Sequence, residues 1–285
     1  MINAGLILEG GAERGSFTAG ALDFLMEQEI WFEYTCGVSA GACNAVDYVA
    51  KQIGRSRDAF IPKDKSYRMA KLSAIPKQHS LIDMDMLFDA FPNDLIPFDY
   101  ETYFSSPIRC EMVVTSCETG NAEYLDNRTD REYFMNICRA SSSIPVFAPP
   151  VQLENGLYVD GGVSDAVPVI HSMKLGFRKN VVILTRERGY RKKAPGAAMT
   201  ALYRKAFRNY PNLVHTLLTR HHEYNRISEL IEKWEDEGYI FVLRPERKPV
   251  DRLEMDPEKL YSFYRHGYEL MESRFKAMKE YLEIE

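Results

Sequence analysis

The chain has 285 residues, 45% of them hydrophobic and 27% charged, with a formal net charge of −5. That length and balance suit one large globular domain, or one domain with an appendage, and the acidic total disfavours nucleic acid as a partner. Five cysteines (Cys36, Cys43, Cys110, Cys117 and Cys138) are odd in number and never spaced C-x-x-C, which speaks for free thiols rather than a disulfide framework or a zinc site. Met1-Ile2-Asn3 brings no basic n-region, and no run approaches the ~18 apolar residues of a membrane span. The expectation is a cytoplasmic protein whose membrane contact, if any, is peripheral.

Gly5 to Leu8 is a short unbroken apolar run, the pattern of a strand buried on both faces. A glycine-rich turn, Glu9 to Gly15, leads into a helix to about Gln28 with Phe17, Ala21, Phe24 and Leu25 on one side. Tyr34 to Val38 is a second strand, turning at Ser39 into a helix from Ala40. Two strand–loop–helix units in succession predict a parallel sheet with helices on its faces. Gly54 to Pro107 is turn-rich and charged and reads as an insertion, with its clearest helix over Leu81 to Phe91. Cys110 to Cys117 and Ala122 to Leu125 form a hairpin across Glu118-Thr119-Gly120-Asn121. Thr129 and Glu132 have the spacing of a capping box for a helix to about Ser141. Asn155-Gly156 makes a second hairpin turn, whose return strand ends on Asp160-Gly161-Gly162. Pro168 starts a further helix, Val181 to Thr185 is a buried strand, and a basic loop spans Arg186 to Lys193. The remainder is helical apart from Tyr239 to Leu243, with a long last helix from Pro257 to about Leu282.

Chemistry concentrates at three places. Gly37-Val38-Ser39-Ala40-Gly41 is a G-x-S-x-G pattern at a strand-to-helix corner, where a serine is held in a strained conformation and its neighbours must be small. The glycine-rich turn after the first strand departs from a dinucleotide fingerprint. Its third position is Ala12, and the next strand ends in Ser39 rather than an acidic residue. An oxyanion loop, with backbone N–H groups of Gly11 and Ala12 facing the serine and Arg14 either bracing it or adding positive charge near the anion, fits better. Asp160-Gly161-Gly162 ends a strand far downstream; alone it is most simply a turn. All three motifs fall at carboxyl ends of strands, where open α/β sheets gather their functional groups. A carboxylate beside Ser39 can take its proton during attack without a histidine. None of His79, His171, His215, His221, His222 and His266 lies in a recognisable motif.

In this order, Glu9 to Gly15, Gly37 to Gly41 and Asp160 to Gly162 resemble the patatin-like phospholipase family, as does Arg139-Ala140-Ser141-Ser142-Ser143-Ile144-Pro145 before the aspartate. The likeness spans roughly Leu6 to Thr185. It implies a three-layer α/β/α hydrolase with a mostly parallel sheet, acting on lipid esters through a Ser–Asp dyad without metal or cofactor. By position, Ser39 is the nucleophile and Asp160 the base. Gly10, Gly11, Ala12, Arg14 and Gly15 make the oxyanion loop, with Gly37, Gly41, Gly161 and Gly162 supporting the turns. Two residues depart from the pattern: Glu9 where aspartate is usual, and Ala12 for the loop's third glycine, an exchange that is mild if φ stays negative. The expected division is a catalytic domain over 1–193 and a helical extension over 194–285.

Two rival readings are a Ser–His–Asp esterase, with His171 or His221 as base, and a lipid-binding regulatory protein with an inactive site. Arg186, Arg188, Arg191, Lys192 and Lys193 present either an anionic-headgroup surface or a solvated loop, the latter favoured. Met84, Met86, Leu87 and Phe88 form either core or an apolar lip over an acyl pocket, with core slightly favoured.

Overall fold

A computed structural model describes residues 1–61, 82–126 and 128–285; His79 and Leu81 lie outside them. Eight strands form one mixed sheet: β1 (Ile2–Leu8), β2 (Phe32–Val38), β3 (Arg109–Ser116), β4 (Ala122–Leu125), β5 (Val151–Leu153), β6 (Gly156–Asp160), β7 (Asn180–Ile183) and β8 (Phe241–Leu243). Five of them run parallel in the order β3-β2-β1-β7-β8, and the two expected hairpins add β4, β5 and β6 antiparallel at the β3 end. The helices are α1 (Gly15–Glu27), α2 (Ala40–Val49), α3 (Arg55–Phe60), α4 (Tyr100–Ser105), α5 (Arg131–Ser141), α6 (Val169–Lys174), α7 (Ala197–Ala206), α8 (Pro211–Asp236) and α9 (Pro257–Leu282).

The unbroken apolar run of β1 follows from burial on both faces. Leu6 and Leu8 enter the larger core with Phe17 and Leu25 of α1, Ala45 of α2 and Phe263 of α9. Ile7 points the other way, to Val182, Val169 of α6, and Ile227 and Ile231 of α8. The sheet is thus the middle of three layers.

The residues after 193 are woven into both outer layers and the sheet. β8 pairs with β7 at the edge. Helix α9 crosses α1 where two glycines let the backbones touch: a Cβ on Gly20 would lie 2.0 Å from the Tyr264 carbonyl oxygen, and one on Gly267 1.9 Å from that of Phe17. Beside this crossing the Tyr264 hydroxyl donates to Asp23 (2.7 Å), whose other oxygen accepts from Gly54 N–H (2.9 Å).

Two local expectations are corrected. The N-cap of α5 is Asp130 rather than Thr129: Asp130 is extended (φ −127°, ψ 118°) and its Oδ1 accepts from Tyr133 N–H at 2.7 Å. A carboxylate there satisfies an orphan donor and also complements the positive end of the helix dipole. The insertion helix is a π-helix over Met86–Leu95 with Pro92 inside it. Proline has no N–H to give to an α-helical ladder, and the wider turn closes with Ile96 N–H on the Phe91 carbonyl (2.8 Å).

Candidate active site

Ser39 follows the last residue of β2 and caps α2 with φ 56° and ψ −123°, a conformation strained for any residue but glycine. Close approach explains its two glycines. A Cβ on Gly37 would come within 2.3 Å of the Gly41 carbonyl oxygen, and one on Gly41 within 2.3 Å of that of Leu8. The strain is held by a contact absent from the sequence reading. Ser39 N–H donates to Ser141 Oγ (3.0 Å), and that hydroxyl donates to the Val113 carbonyl (2.7 Å).

Sheet pairing brings Asp160 to the same corner. β2 pairs with β3 as far as Val38 opposite Val113, and β4 covers Met112 to Thr115 on β3's other edge. The edge that β2 leaves at Val38 is taken by β6, running the opposite way, with Asp160 opposite Val114. Two chain ends therefore meet head-on along one edge, one finishing in Val38-Ser39 and the other in Asp160. Gly161 packs so tightly on β3 that a Cβ would sit 2.2 Å from the Val113 carbonyl oxygen. Asp160 N–H donates to the Ser143 carbonyl (2.9 Å), and its Oδ1 accepts from Gly162 N–H (2.7 Å). Burial raises the carboxyl's pKa; hydrogen bonding from the Ser39 side chain and the Gly162 N–H opposes this, with Arg220 and Arg252 adding positive charge. Ser141 and Ser143 thus brace the two ends from one turn. The Arg139–Pro145 segment was legible as a motif, but not as a clamp.

The glycine-rich turn closes the corner from β1. Gly10, Gly11, Ala12 and Arg14 line one cleft with Ser39, Asp160 and Gly162. Gly15 instead begins α1, its carbonyl accepting from Asn44 (3.1 Å). Ala12 does not keep a negative φ: at 51° it is left-handed, so the exchange of glycine for alanine carries strain. The Glu9 exchange has a structural reason. One of its buried carboxylate oxygens accepts from Thr185 N–H (2.6 Å) and Oγ1 (3.1 Å), while the other reaches the Tyr224 hydroxyl of α8 (2.7 Å). An aspartate, one methylene shorter, would span that gap less well.

Two clefts meet at Ser39. The first is cationic: Arg14, Arg186, Lys192, Arg220 and Arg252 line it beside the loop. The second is apolar, walled by Phe60, Met84, Leu87, Phe88, Phe91 and Phe98. Met84, Leu87 and Phe88 thus serve as core and cleft wall at once, whereas Met86 is not among the cleft's lining. The basic loop divides. Arg186 and Lys192 face the cationic cleft, Lys193 is exposed, and Arg188 and Arg191 pair with Asp236 (2.6 Å) and Glu232 (2.9 Å). Arg220, Tyr224 and Arg252 come from the C-terminal segment, where no sequence pattern marked them. Among the described residues, no histidine lines the cleft that Ser39 and Asp160 share. His171 contacts Glu111 (2.7 Å) and stacks on Tyr124, and the His221 and His222 rings lie 3.8 Å apart on α8.

Among the described residues, no three His, Cys, Asp or Glu side chains converge as a metal site, and no helix is long and apolar enough to cross a membrane. The chain is 33% identical over 187 residues to an uncharacterized protein of Escherichia coli K12, YjjU; the match covers 63% of this chain and about half (51%) of that one. The fold is like that of VipD from Legionella pneumophila, with a TM-score of 0.54 over 96% of this chain and 67% of that one, at 13% identity. Residues 210–283 match a model described as a domain of unknown function (DUF6363). Residues 6–172, more than half of the chain, match the model for patatin-like phospholipases. The chain belongs to the patatin-like phospholipase family.

Proposed function

We propose that the protein is a lipid acyl hydrolase working through a Ser39–Asp160 dyad. The supporting observation is that the strained serine, the buried carboxylate and the glycine-rich turn Gly10-Gly11-Ala12 line one cleft. Ser39 Oγ attacks the ester carbonyl while Asp160 takes its proton. N–H groups of the Gly10–Ala12 turn and the first turn of α2 hold the oxyanion as it forms. Collapse of the tetrahedral intermediate breaks the ester C–O bond, and the proton returns through Asp160 to the leaving alkoxide. Water, deprotonated by the same carboxylate, then attacks the acyl-serine; the acyl C–Oγ bond breaks, Asp160 returns the proton to Ser39 Oγ, and the fatty acid leaves. The apolar cleft holds the acyl chain, and the substrate is met at a lipid surface rather than through a membrane span.

Ser39→Ala and Asp160→Asn are each expected to cut hydrolysis of a short p-nitrophenyl ester by about 10³-fold or more, with circular dichroism unchanged. Activity retained in either variant removes that residue from the mechanism. Because burial raises the carboxyl's pKa, the acid limb of kcat/KM is expected above the ordinary aspartate value of about 3.9. A limb at or below that value would contradict Asp160 as the base.

A further inference from the structure

We propose that the C-terminal segment braces the catalytic corner, and that Arg220 of α8 is the positioning residue for Asp160. That role rests on the dyad reading, but one arm of its test does not. Asp160 is followed by two glycines, the residues with most backbone freedom to lose, so the turn needs holding from outside. Gly162 is held on both sides: its N–H donates to Asp160 Oδ1 (2.7 Å), and its carbonyl accepts from the Arg220 guanidinium (2.9 Å). The valines flanking the turn, Val159 and Val163, are buried against Tyr203 of α7, Phe207, and Leu213 and Leu217 of α8. The end of β6 that carries the base thus takes its core from the C-terminal segment. The same segment holds the glycine-rich turn. The Tyr224 hydroxyl donates to Glu9 (2.7 Å), and the Arg252 carbonyl accepts from Glu13 N–H (3.3 Å). Arg220 and Tyr224 are one helical turn apart on one face of α8, so a single helix surface reaches both halves of the corner.

Charge adds to contact. Among the described residues, the charged side chains lining the cleft with Asp160 are Glu9 and Arg14 from the glycine-rich turn, Arg186 and Lys192 from the loop after β7, Arg220, and Arg252. Burial raises the Asp160 pKa; the Ser39 hydrogen bond, the Gly162 N–H, Arg220 and Arg252 oppose it in that order. Burial depresses Arg220 in turn, and Asp160 is the foremost group sustaining its charge. Arg220 therefore acts on the carboxylate twice, through its own charge and through the Gly162 N–H that it holds in place. A guanidinium suits both tasks, since its fork grips a carbonyl while its charge persists. Asp160 must be ionised to accept the Ser39 proton, so removing a nearby positive charge both misplaces the base and leaves it protonated to higher pH.

The test uses the full chain and a short neutral p-nitrophenyl ester, which offers Arg220 no charge to bind. Arg220→Met loses both grip and charge. It is expected to lower kcat by about tenfold or more, with KM within about twofold, and to move the acid limb of kcat/KM to higher pH. Arg220→Gln keeps a donor for Gly162 and should recover part of kcat but not the limb. Arg220→Lys keeps the charge and should hold the limb at its wild-type place. Arg226→Gln, which removes an exposed charge from the same helix, should change neither. If Arg220→Met fails to fold, the glutamine and lysine variants decide. A purely structural arginine would cost stability without shifting a titration, so a limb unmoved in the methionine and glutamine variants overturns the proposal. A limb moved equally by Arg226→Gln overturns it too, as does a loss confined to KM. NMR of isotope-labelled aspartate carboxyls reads Asp160 without turnover, its signal identified by its loss in Asp160→Asn. That titration should move to higher pH in Arg220→Gln. A wild type that turns over no ester, with this shift intact, counts against the hydrolase reading and for the brace; no shift overturns the brace whatever the activity.

Discussion

Replacing Ser141 by alanine removes one oxygen and strands two buried backbone groups, the Ser39 N–H and the Val113 carbonyl, which it now serves at 3.0 Å and 2.7 Å. Each orphaned group costs about 1–3 kcal/mol, and partial relaxation brings the sum to roughly 2–4 kcal/mol. The volume change is small, so little of that loss is a cavity. A second consequence falls on function. The left-handed serine stores roughly 1–3 kcal/mol of strain, and without its tether the corner can relax and turn the hydroxyl from Asp160. Urea denaturation should show the stability loss, and fluorophosphonate labelling of Ser39 should slow by about tenfold or more. The control is Ser142→Ala, whose hydroxyl, among the described residues, meets the Cys43 sulfur at 3.9 Å and whose loss should cost about 0.5 kcal/mol or less. If the two variants behave alike, Ser141 is not the clamp.

Other residues give independent checks. Ala12→Gly relieves a left-handed alanine and should gain about 0.5–1 kcal/mol in thermal unfolding after the unfolded-state entropy of glycine is counted; a loss of stability would contradict the strain. Glu9→Asp and Tyr224→Phe should each cost about 1–2 kcal/mol, and a double-mutant cycle should show coupling of about 1 kcal/mol, whereas strict additivity would deny the contact. Burial, with Glu254 nearby, raises Glu13 from 4.5 to about 8, so the folded chain holds a proton that the unfolded chain releases. Its contribution to stability is full below about 4.5 and is lost as pH rises through about 8, by up to roughly 5 kcal/mol. Glu13→Gln should therefore flatten the fall in stability over that window; identical pH profiles for wild type and variant would refute the assignment. Asp23, raised by burial to about 6, adds a smaller fall of the same sign at lower pH that both proteins share.

Much of this was legible because local signals agreed with the fold. The G-x-S-x-G corner, the two hairpin turns and the apolar runs of β1 and β7 are short-range patterns, and short-range steric rules enforce them. That Ser39 and Asp160 face one cleft could be expected only from the rule that strand ends gather function. What places them there is the hand-over of one β3 edge from β2 to β6, two long-range pairings that set Val38 opposite Val113 and Asp160 opposite Val114. The cap of α5 was misread by one residue because Thr129 and Asp130 are both good caps, and only the extended backbone at Asp130 decides. The loop's backbone hand was hidden too, since a sequence does not show that Ala12 turns left-handed. Arg220, Tyr224 and Arg252 carried no signal: a lone arginine or tyrosine in a charged helix, like Arg220 and Tyr224, looks like any solvated face, and Arg252 sits in a turn that only long-range packing brings to the cleft.

The central claim, a Ser39 hydroxyl activated by the Asp160 carboxylate, is tested most directly by mapping a fluorophosphonate adduct by peptide mass spectrometry in wild type and Asp160→Asn. One adduct on the peptide bearing Ser39, formed in wild type and slowed by about 10³-fold or more in the variant, is the predicted result. Labelling at another residue, or at Ser39 with equal rates in both proteins, would contradict it.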